Sequence, residues 1–498
     1  MTDPKNKPGR FKNAARSLRQ ALFLATACGG LLSSVHAANN EDIFFKLADL
    51  CKKEKIGGEF DDAVLEKVRG EKYPSPKTGG FTIDSVEPSW TPTSIFLNGS
   101  CLVKGKIHST SQYRLDPKVK DLWNKGVPDI NFELYIPSQW NGKLIQFGGG
   151  LFSWPSSVMG SKTAETENYA LLMSDAGNTQ PLLPFLPNIT GFGMAGLVKG
   201  ANDINDIPQQ ELATNFGGNS IKKSLDVGVT LVKKITGKTP EAKYFVGFST
   251  GGRQALKAIE SWPDAYDGVV SGAPSVYLTR MIKRVGHSHW EEFDTDKFGG
   301  VLGGLILGTL KWSDPSATQA LGKALGWAVQ SISQAAIDSG ADKDNAIDKL
   351  MNAMEPVWNV KPGAVENFLN TPTNSGKKKK RVILYQGTQD IVVPCTQTGK
   401  FVRDSANYVR SKNDEETVKR MGDSTRVYFI NGFNHGFFPV TADGGLGDLS
   451  WNYISALDQW VHDDNAKPKA PRNSFNPAGN IPTTEELKTW GCSPNDFQ

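Results

Sequence analysis

Long apolar runs are missing from this 498-residue chain once its first 37 residues are passed. No later stretch reaches about 18 apolar residues, so no transmembrane span is expected. No Cys-x-x-Cys and no histidine-rich spacing occurs, which argues against a structural zinc site. Internal repeats are absent as well. A basic excess is also missing from the body, although the whole chain carries 56 Lys+Arg against 52 Asp+Glu. Six of those bases, Lys5, Lys7, Lys12, Arg10, Arg16 and Arg19, fall in the first 37 residues against Asp3 alone. Without them 50 basic and 51 acidic side chains remain, a net charge of −1, and that leaves no electrostatic footprint for nucleic acid.

The basic leader itself reads as an export signal. The run ALFLATACGGLLSSV follows Arg19, and small residues at Val35-His36-Ala37 place a cleavage site before Ala38. Lipoprotein processing at Cys28 is the weaker variant. Cleavage leaves Cys51, Cys101, Cys395 and Cys492, an even number that favours disulfides in an oxidising compartment. Four cysteines allow three pairings. Cys51–Cys101, stapling the N-terminal segment, with Cys395–Cys492, tying the tail to the body, is the preferred one.

Strand-like and helix-like runs alternate through the first half of the body. INFELYI at 130–136 alternates apolar and polar residues, as a strand with one wet face does. GKLIQFGGG at 142–150, NYALLMSDAGN at 168–178, KYFVGFS at 243–249 and YDGVVSGAP at 266–274 read as further strands. IKKSLDVGVTLVKKIT sets Ile221, Leu225, Val229, Val232 and Ile235 at helical spacing, with Gly237 as its stop. GGRQALKAIESWP is a second helix. Strands separated by helices predict a mostly parallel sheet covered on both faces. The rhythm stops at Tyr277 and resumes after the Lys377–Lys380 run with RVILYQGTQD and TRVYFINGFNH. Segment 277–375 between them reads as a helical insertion, including a helix over 317–340, and has the place of a lid.

Gly247-Phe248-Ser249-Thr250-Gly251 fits G-x-S-x-G between an apolar strand and a helix. In that setting a serine sits on a sharp turn with its hydroxyl held out at the carboxyl edge of the sheet. A serine hydroxyl needs a base to take its proton and a carboxylate to orient that base. Only five histidines lie beyond the leader, and His435, in FINGFNHGFF, follows a strand directly. Asp390, in LYQGTQDIVVP, also lies just past a strand end. The order Ser249, Asp390, His435 is that of the α/β-hydrolase fold. Two backbone donors are needed for an oxyanion. Thr250 N–H is the first, and the Gly148-Gly149-Gly150 run supplies the second, Gly149 ahead of Gly150. That run does not fit the spacing of a dinucleotide site. His287 and His289, with Glu291 or Glu292, are a remote metal candidate, and no metal or other cofactor is expected.

These residues together resemble the tannase and feruloyl esterase family. The likeness runs over roughly 51–435, is weakest in the lid, and rests on FELYIPSQWNGKLIQFGGG, GFSTGGRQAL, WPDAYDGVVSGAPS, LYQGTQDIVVP and the last loop histidine. It implies an exported α/β-hydrolase with a large lid that cleaves esters, often of hydroxylated aromatic acids, with Ser249, Asp390 and His435 in the triad positions. Two departures stand out. Family members typically carry cysteines just before the serine and just after the histidine, where this chain has Phe248 and Gly436, so a subgroup that holds its triad by packing is expected. The Asp-rich calcium loop has only a faint echo in DSGADKDNAID at 338–348, which leaves structural calcium without support.

The expected organisation is a signal peptide over 1–37, an α/β-hydrolase catalytic domain over 38–276 and 376–498, and a lid over 277–375. The expected function is that of a secreted or periplasmic serine esterase acting on a small-molecule ester, with lid tryptophans Trp290, Trp312 and Trp327 as pocket or lid-core residues. A general carboxylesterase for aliphatic or hydroxyalkanoate esters, and a non-catalytic binding protein on a hydrolase fold, are the alternatives. Oligomeric state is not legible in the sequence.

Overall fold

Strands with neighbours in parallel and helices on both faces have no wet side, and four runs of this chain have that character. Residues Ala242–Phe248, Gly268–Gly272, Arg381–Gly387 and Thr425–Ile430 form strands β6 to β9, and the last three are buried at every position. The computed structural model describes residues 47–52, 81–91, 99–109, 129–149, 167–177, 214–287, 343–373, 378–390, 393–412, 414–433, 435 and 452–493. Strands β1 Phe81–Thr91, β2 Ser100–Ser109, β3 Ile130–Pro137, β4 Lys143–Phe147 and β5 Ala170–Ser174 precede the four. Together they make one nine-stranded sheet in the order β1-β2-β3-β5-β4-β6-β7-β8-β9. The pairs from β5 through β9 are parallel, whereas β1–β2, β2–β3 and β3–β5 are antiparallel.

The mostly parallel α/β sheet expected from the sequence is therefore present, with an antiparallel extension that the sequence reading did not include. β3 alternates buried and half-buried residues, as expected of a strand with one wetter face. β1 escaped notice because Pro88 and charged residues interrupt its apolar pattern. A proline is tolerated there because β1 is the sheet's edge.

The described helices include α1 Ser220–Thr236, α2 Thr250–Ser261, α3 Leu278–His287, α4 Lys343–Trp358, α5 Ala364–Asn370, α6 Cys395–Arg410, α7 Glu415–Ser424, α8 Tyr453–His462 and α9 Thr484–Thr489. α1 ends where expected, at Gly237, whose φ of 73° is left-handed. The period of two divides the sheet's side chains between two cores. Leu144, Phe245, Val269, Val382 and Val427 face α1, α2 and α6. Their chain neighbours Ile145, Val246, Val270, Ile383 and Tyr428 face α8. Each such side chain contributes about 1.5–3 kcal/mol on full burial, so this alternation fixes the register of every strand.

The sulfurs of Cys51 and Cys101, and of Cys395 and Cys492, are bonded, the pairing preferred from the sequence. One bond ties residues 47–52 to β2, and the other ties the start of α6 to the turn after α9. Of the segment 277–375, helices α3, α4 and α5 are described, and the helix expected over 317–340 lies outside the described residues. The leader, with Cys28 and Ala37, and Trp290, Trp312 and Trp327 also lie outside them. The end of this segment packs on α2: Lys361 N–H donates to Glu260 Oε2 at 2.8 Å and Lys257 Nζ to Asn359 O at 3.3 Å.

The chain leaves β4 for β5 on one side and returns to β6 on the other. That reversal opens a crevice at the carboxyl ends of β4 and β6, where open α/β sheets place their sites.

Candidate active site

Ser249 lies at the end of β6, one residue before α2, with φ 58° and ψ −121°. A side chain in that left-handed region costs about 1–3 kcal/mol, so the surrounding structure must impose it. Neighbouring glycines make room for the turn. A Cβ on Gly247 would lie 2.1 Å from Gly251 O, and one on Gly251 would lie 2.7 Å from Gly148 O. The elbow and the loop after β4 are therefore in backbone contact. Ser249 O accepts from Arg253 N–H at 3.1 Å, the first turn of α2.

His435 Nε2 lies 3.1 Å from Ser249 Oγ, and His435 Nδ1 lies 2.8 Å from Asp390 Oδ2. The carboxylate only accepts, so Nδ1 carries the proton and Nε2 is left to accept from the serine hydroxyl. These three residues are 186 and 45 positions apart in sequence and all are buried. The Asp390 carboxylate is fixed in turn by Val393 N–H on Oδ1 at 2.8 Å and by Gln386 Nε2 on Oδ2 at 3.0 Å. Gln386 receives Thr398 Oγ1–H on its own carbonyl at 2.8 Å. Its part was missed in the sequence; the signal was a glutamine inside an otherwise apolar strand.

Thr250 opens α2, so its N–H belongs to the first turn, whose donors have no partner within a helix. Gly149 N–H donates to Gln254 Oε1 at 3.1 Å. Gly150 lies outside the described residues. The phenyl ring of Phe248, the residue before the serine, has its centroid 4.7 Å from that of the His435 imidazole. Gly436, at the other of the two positions discussed for a cysteine pair, lies outside the described residues.

Arg253 anchors α2 from behind. It is wholly buried, donates to Phe216 O and Trp358 O at 3.0 Å and to Gly217 O at 3.3 Å, and lies over the Phe216 ring. Burial draws its guanidinium down to about 9, with Glu260 pulling the other way. Burial pushes the Tyr385 phenol well above its usual range, so it stays neutral beside the site.

The remaining histidines sit elsewhere. His108, on β2, is buried against Asp129, and His462 Nδ1 donates to Asp458 O at 2.8 Å at the end of α8. The backbone of His287 ends α3, while His289, Glu291 and Glu292 lie outside the described residues. Of the calcium-loop echo, Lys343 onward is helical and 338–342 lie outside them. Among the described residues no group of three or more His, Cys, Asp or Glu is placed to hold a metal, and no helix is long and apolar enough to cross a membrane.

Residues 119–298 match the family described as tannase and feruloyl esterase. An uncharacterized esterase of Agrobacterium fabrum is 32% identical over 184 residues, 35% of this chain and 28% of that protein. A mono(2-hydroxyethyl) terephthalate hydrolase of Piscinibacter sakaiensis is 29% identical over 159 residues, 30% of this chain and 24% of that one. A probable feruloyl esterase of Arthroderma benhamiae is 29% identical over 164 residues, 32% of this chain and 28% of that protein. The matched stretches thus span about a quarter of the length of these relatives. In three dimensions the chain is similar to a tannin acyl hydrolase from Aspergillus niger, with a TM-score of 0.53 at 13% identity over 87% of this chain and 97% of that one. That likeness speaks for the fold, which is α/β-hydrolase-like. The matched segment 119–298 contains β3, the glycine loop and the Ser249 elbow, so it is this part of the chain that is similar to the tannase and feruloyl esterase family.

Proposed function

We propose that the chain is a serine esterase, acting on carboxylic esters through an acyl-enzyme on Ser249. The observation that carries this reading is the hydrogen-bonded series Ser249 Oγ, His435 Nε2, His435 Nδ1, Asp390 Oδ2, set at the carboxyl ends of β6, β8 and β9. Ser249 attacks the ester carbonyl while His435 takes its proton, and Asp390 holds the imidazole in the tautomer that can accept it. The tetrahedral oxyanion is received by Thr250 N–H and by a second donor from the glycine loop, Gly149 or Gly150. A Gly149 donor must exchange its bond to Gln254 for one to the oxyanion. Losing one such donor typically costs about 3 kcal/mol of transition-state stabilisation. His435 then protonates the leaving alcohol and activates water for deacylation.

Esters of aromatic or hydroxyaromatic acids are the proposed substrates, in line with the relatives named for feruloyl and terephthalate esters. Export as a secreted or periplasmic protein, with removal of 1–37, accords with the basic leader and the two cystines. Segment 277–375, of which α3, α4 and α5 are described, is proposed as the lid.

Hydrolysis of methyl gallate, methyl ferulate, methyl benzoate and p-nitrophenyl butyrate by the chain from Ala38, with Ser249→Ala alongside, tests the reading. Turnover of an aromatic-acid ester, reduced about 10⁴-fold or more in the variant, is the expected result. Turnover of the butyrate alone would move the substrate class to aliphatic esters, and equal, negligible rates for both proteins would favour a binding protein.

A further inference from the structure

We infer that Phe248 is a positioning residue, whose ring holds the His435 imidazole in line between Ser249 and Asp390. The inference rests on the esterase reading above and concerns how its base is kept in place. His435 is delivered by a loop, while Phe248 is the last residue of β6 and is fixed by the strand. Hydrogen bonds at Nδ1 and Nε2 hold two edges of the imidazole. They resist rotation about the line joining those atoms only weakly, because both partners lie near that line. A packed ring against the imidazole removes this freedom without competing for either nitrogen.

The Phe248 ring has the placement for that task. Its centroid is 4.7 Å from the imidazole centroid at an interplanar angle of 45°, and the residue is 2% exposed. It is itself backed by Tyr385, stacked at 6.4 Å and 22°. Tyr385 leans on Tyr453 of α8 at 6.0 Å. Gly272 on β7 completes the support, since a Cβ there would lie 2.2 Å from Tyr385 Cζ. The base is thus wedged by an aromatic series drawn from β6, β8 and α8, and the residue that begins the series is joined to the nucleophile by one peptide bond. Neither a proton nor a covalent step is assigned to Phe248. Its effect falls on the alignment of the proton transfer and not on substrate binding.

Phe248→Met removes the ring at similar volume, Phe248→Leu is a second ringless variant, and Phe248→Tyr keeps the ring. Steady-state hydrolysis of the best ester is measured for each at a temperature where circular dichroism shows it folded. The ringless variants are expected to lose about ten-fold or more in kcat with KM within about two-fold, since misalignment of the base costs rate and not affinity. Phe248→Tyr is expected to restore kcat to within about three-fold of the wild type. Wild-type kcat in a folded ringless variant, with Ser249→Ala inactive, would overturn the assignment. So would a loss shared in full by Phe248→Tyr, or a change in KM alone. A wild-type chain that hydrolyses no ester would overturn it together with the esterase reading.

Discussion

Ser249 holds a left-handed backbone that its two flanking glycine positions make possible by sterics, not by flexibility. A methyl group on Gly247 would lie 2.1 Å from Gly251 O, a backbone atom that has nowhere to go without unseating the first turn of α2. Gly247→Ala is therefore expected to lower unfolding free energy by about 1–3 kcal/mol, read from the denaturant midpoint, and to reduce ester hydrolysis far more than that loss explains. The triad candidates were legible because each motif residue sat between an apolar run and a turn. What supports them was not. Gln254 acts on Gly149 at 105 residues' separation, which no local pattern encodes, while Gln386, four residues from Asp390, showed only as a polar residue in an apolar strand. Phe248 was noted in the sequence only as the place of a missing cysteine, although packing in place of a disulfide was anticipated there.

Strands β4 to β9 were legible because burial on both faces leaves short apolar runs bounded by turn residues, and β3 because its alternation marks one wetter face. The antiparallel β1 and β2, along with α6, α7 and α9, carry mixed faces and were passed over. The joint between α8 and the sheet is one carboxylate. Asp458 accepts from Lys143 Nζ at 2.7 and 2.9 Å, from Tyr169 OH at 2.7 Å and from Tyr244 OH at 2.5 Å, so a single side chain ties α8 to β4, to the residue before β5, and to β6. Burial alone would raise its pKa, but the bonds from Lys143, Tyr244 and Tyr169 outweigh it and hold the carboxyl below its usual range. A depressed folded-state value means stability that is present above the unfolded value and is lost as pH falls through the folded one. Asp458→Asn is expected to cost about 3 kcal/mol at pH 7, because it replaces one of two accepting oxygens with a donor and leaves the part-buried Lys143 ammonium without its counter-charge. The gap to the wild type should begin to narrow below about pH 4, where the unfolded wild-type carboxyl takes up its proton while the folded one is still ionised. Urea titrations of both proteins at pH 7 and pH 3.5 would read this, and a gap that widens in acid would contradict it.

At the scale of the whole molecule, a reversal of strand order between β4 and β6 opens the crevice, and four strand ends deliver the glycine loop, Ser249, Asp390 and His435 into it. One cystine ties residues 47–52 to β2, and the other ties the tail after α9 to Cys395, whose Sγ lies 3.7 Å from Thr388 O in the loop that carries Asp390. The most direct test of the account is covalent trapping. The chain from Ala38 is incubated with a fluorophosphonate ester, digested, and the adduct located by mass spectrometry. A single phosphonyl group on Ser249, formed as esterase activity disappears and far more slowly in His435→Ala, is the predicted result. Full loss of ester hydrolysis with the adduct on another residue would contradict the account.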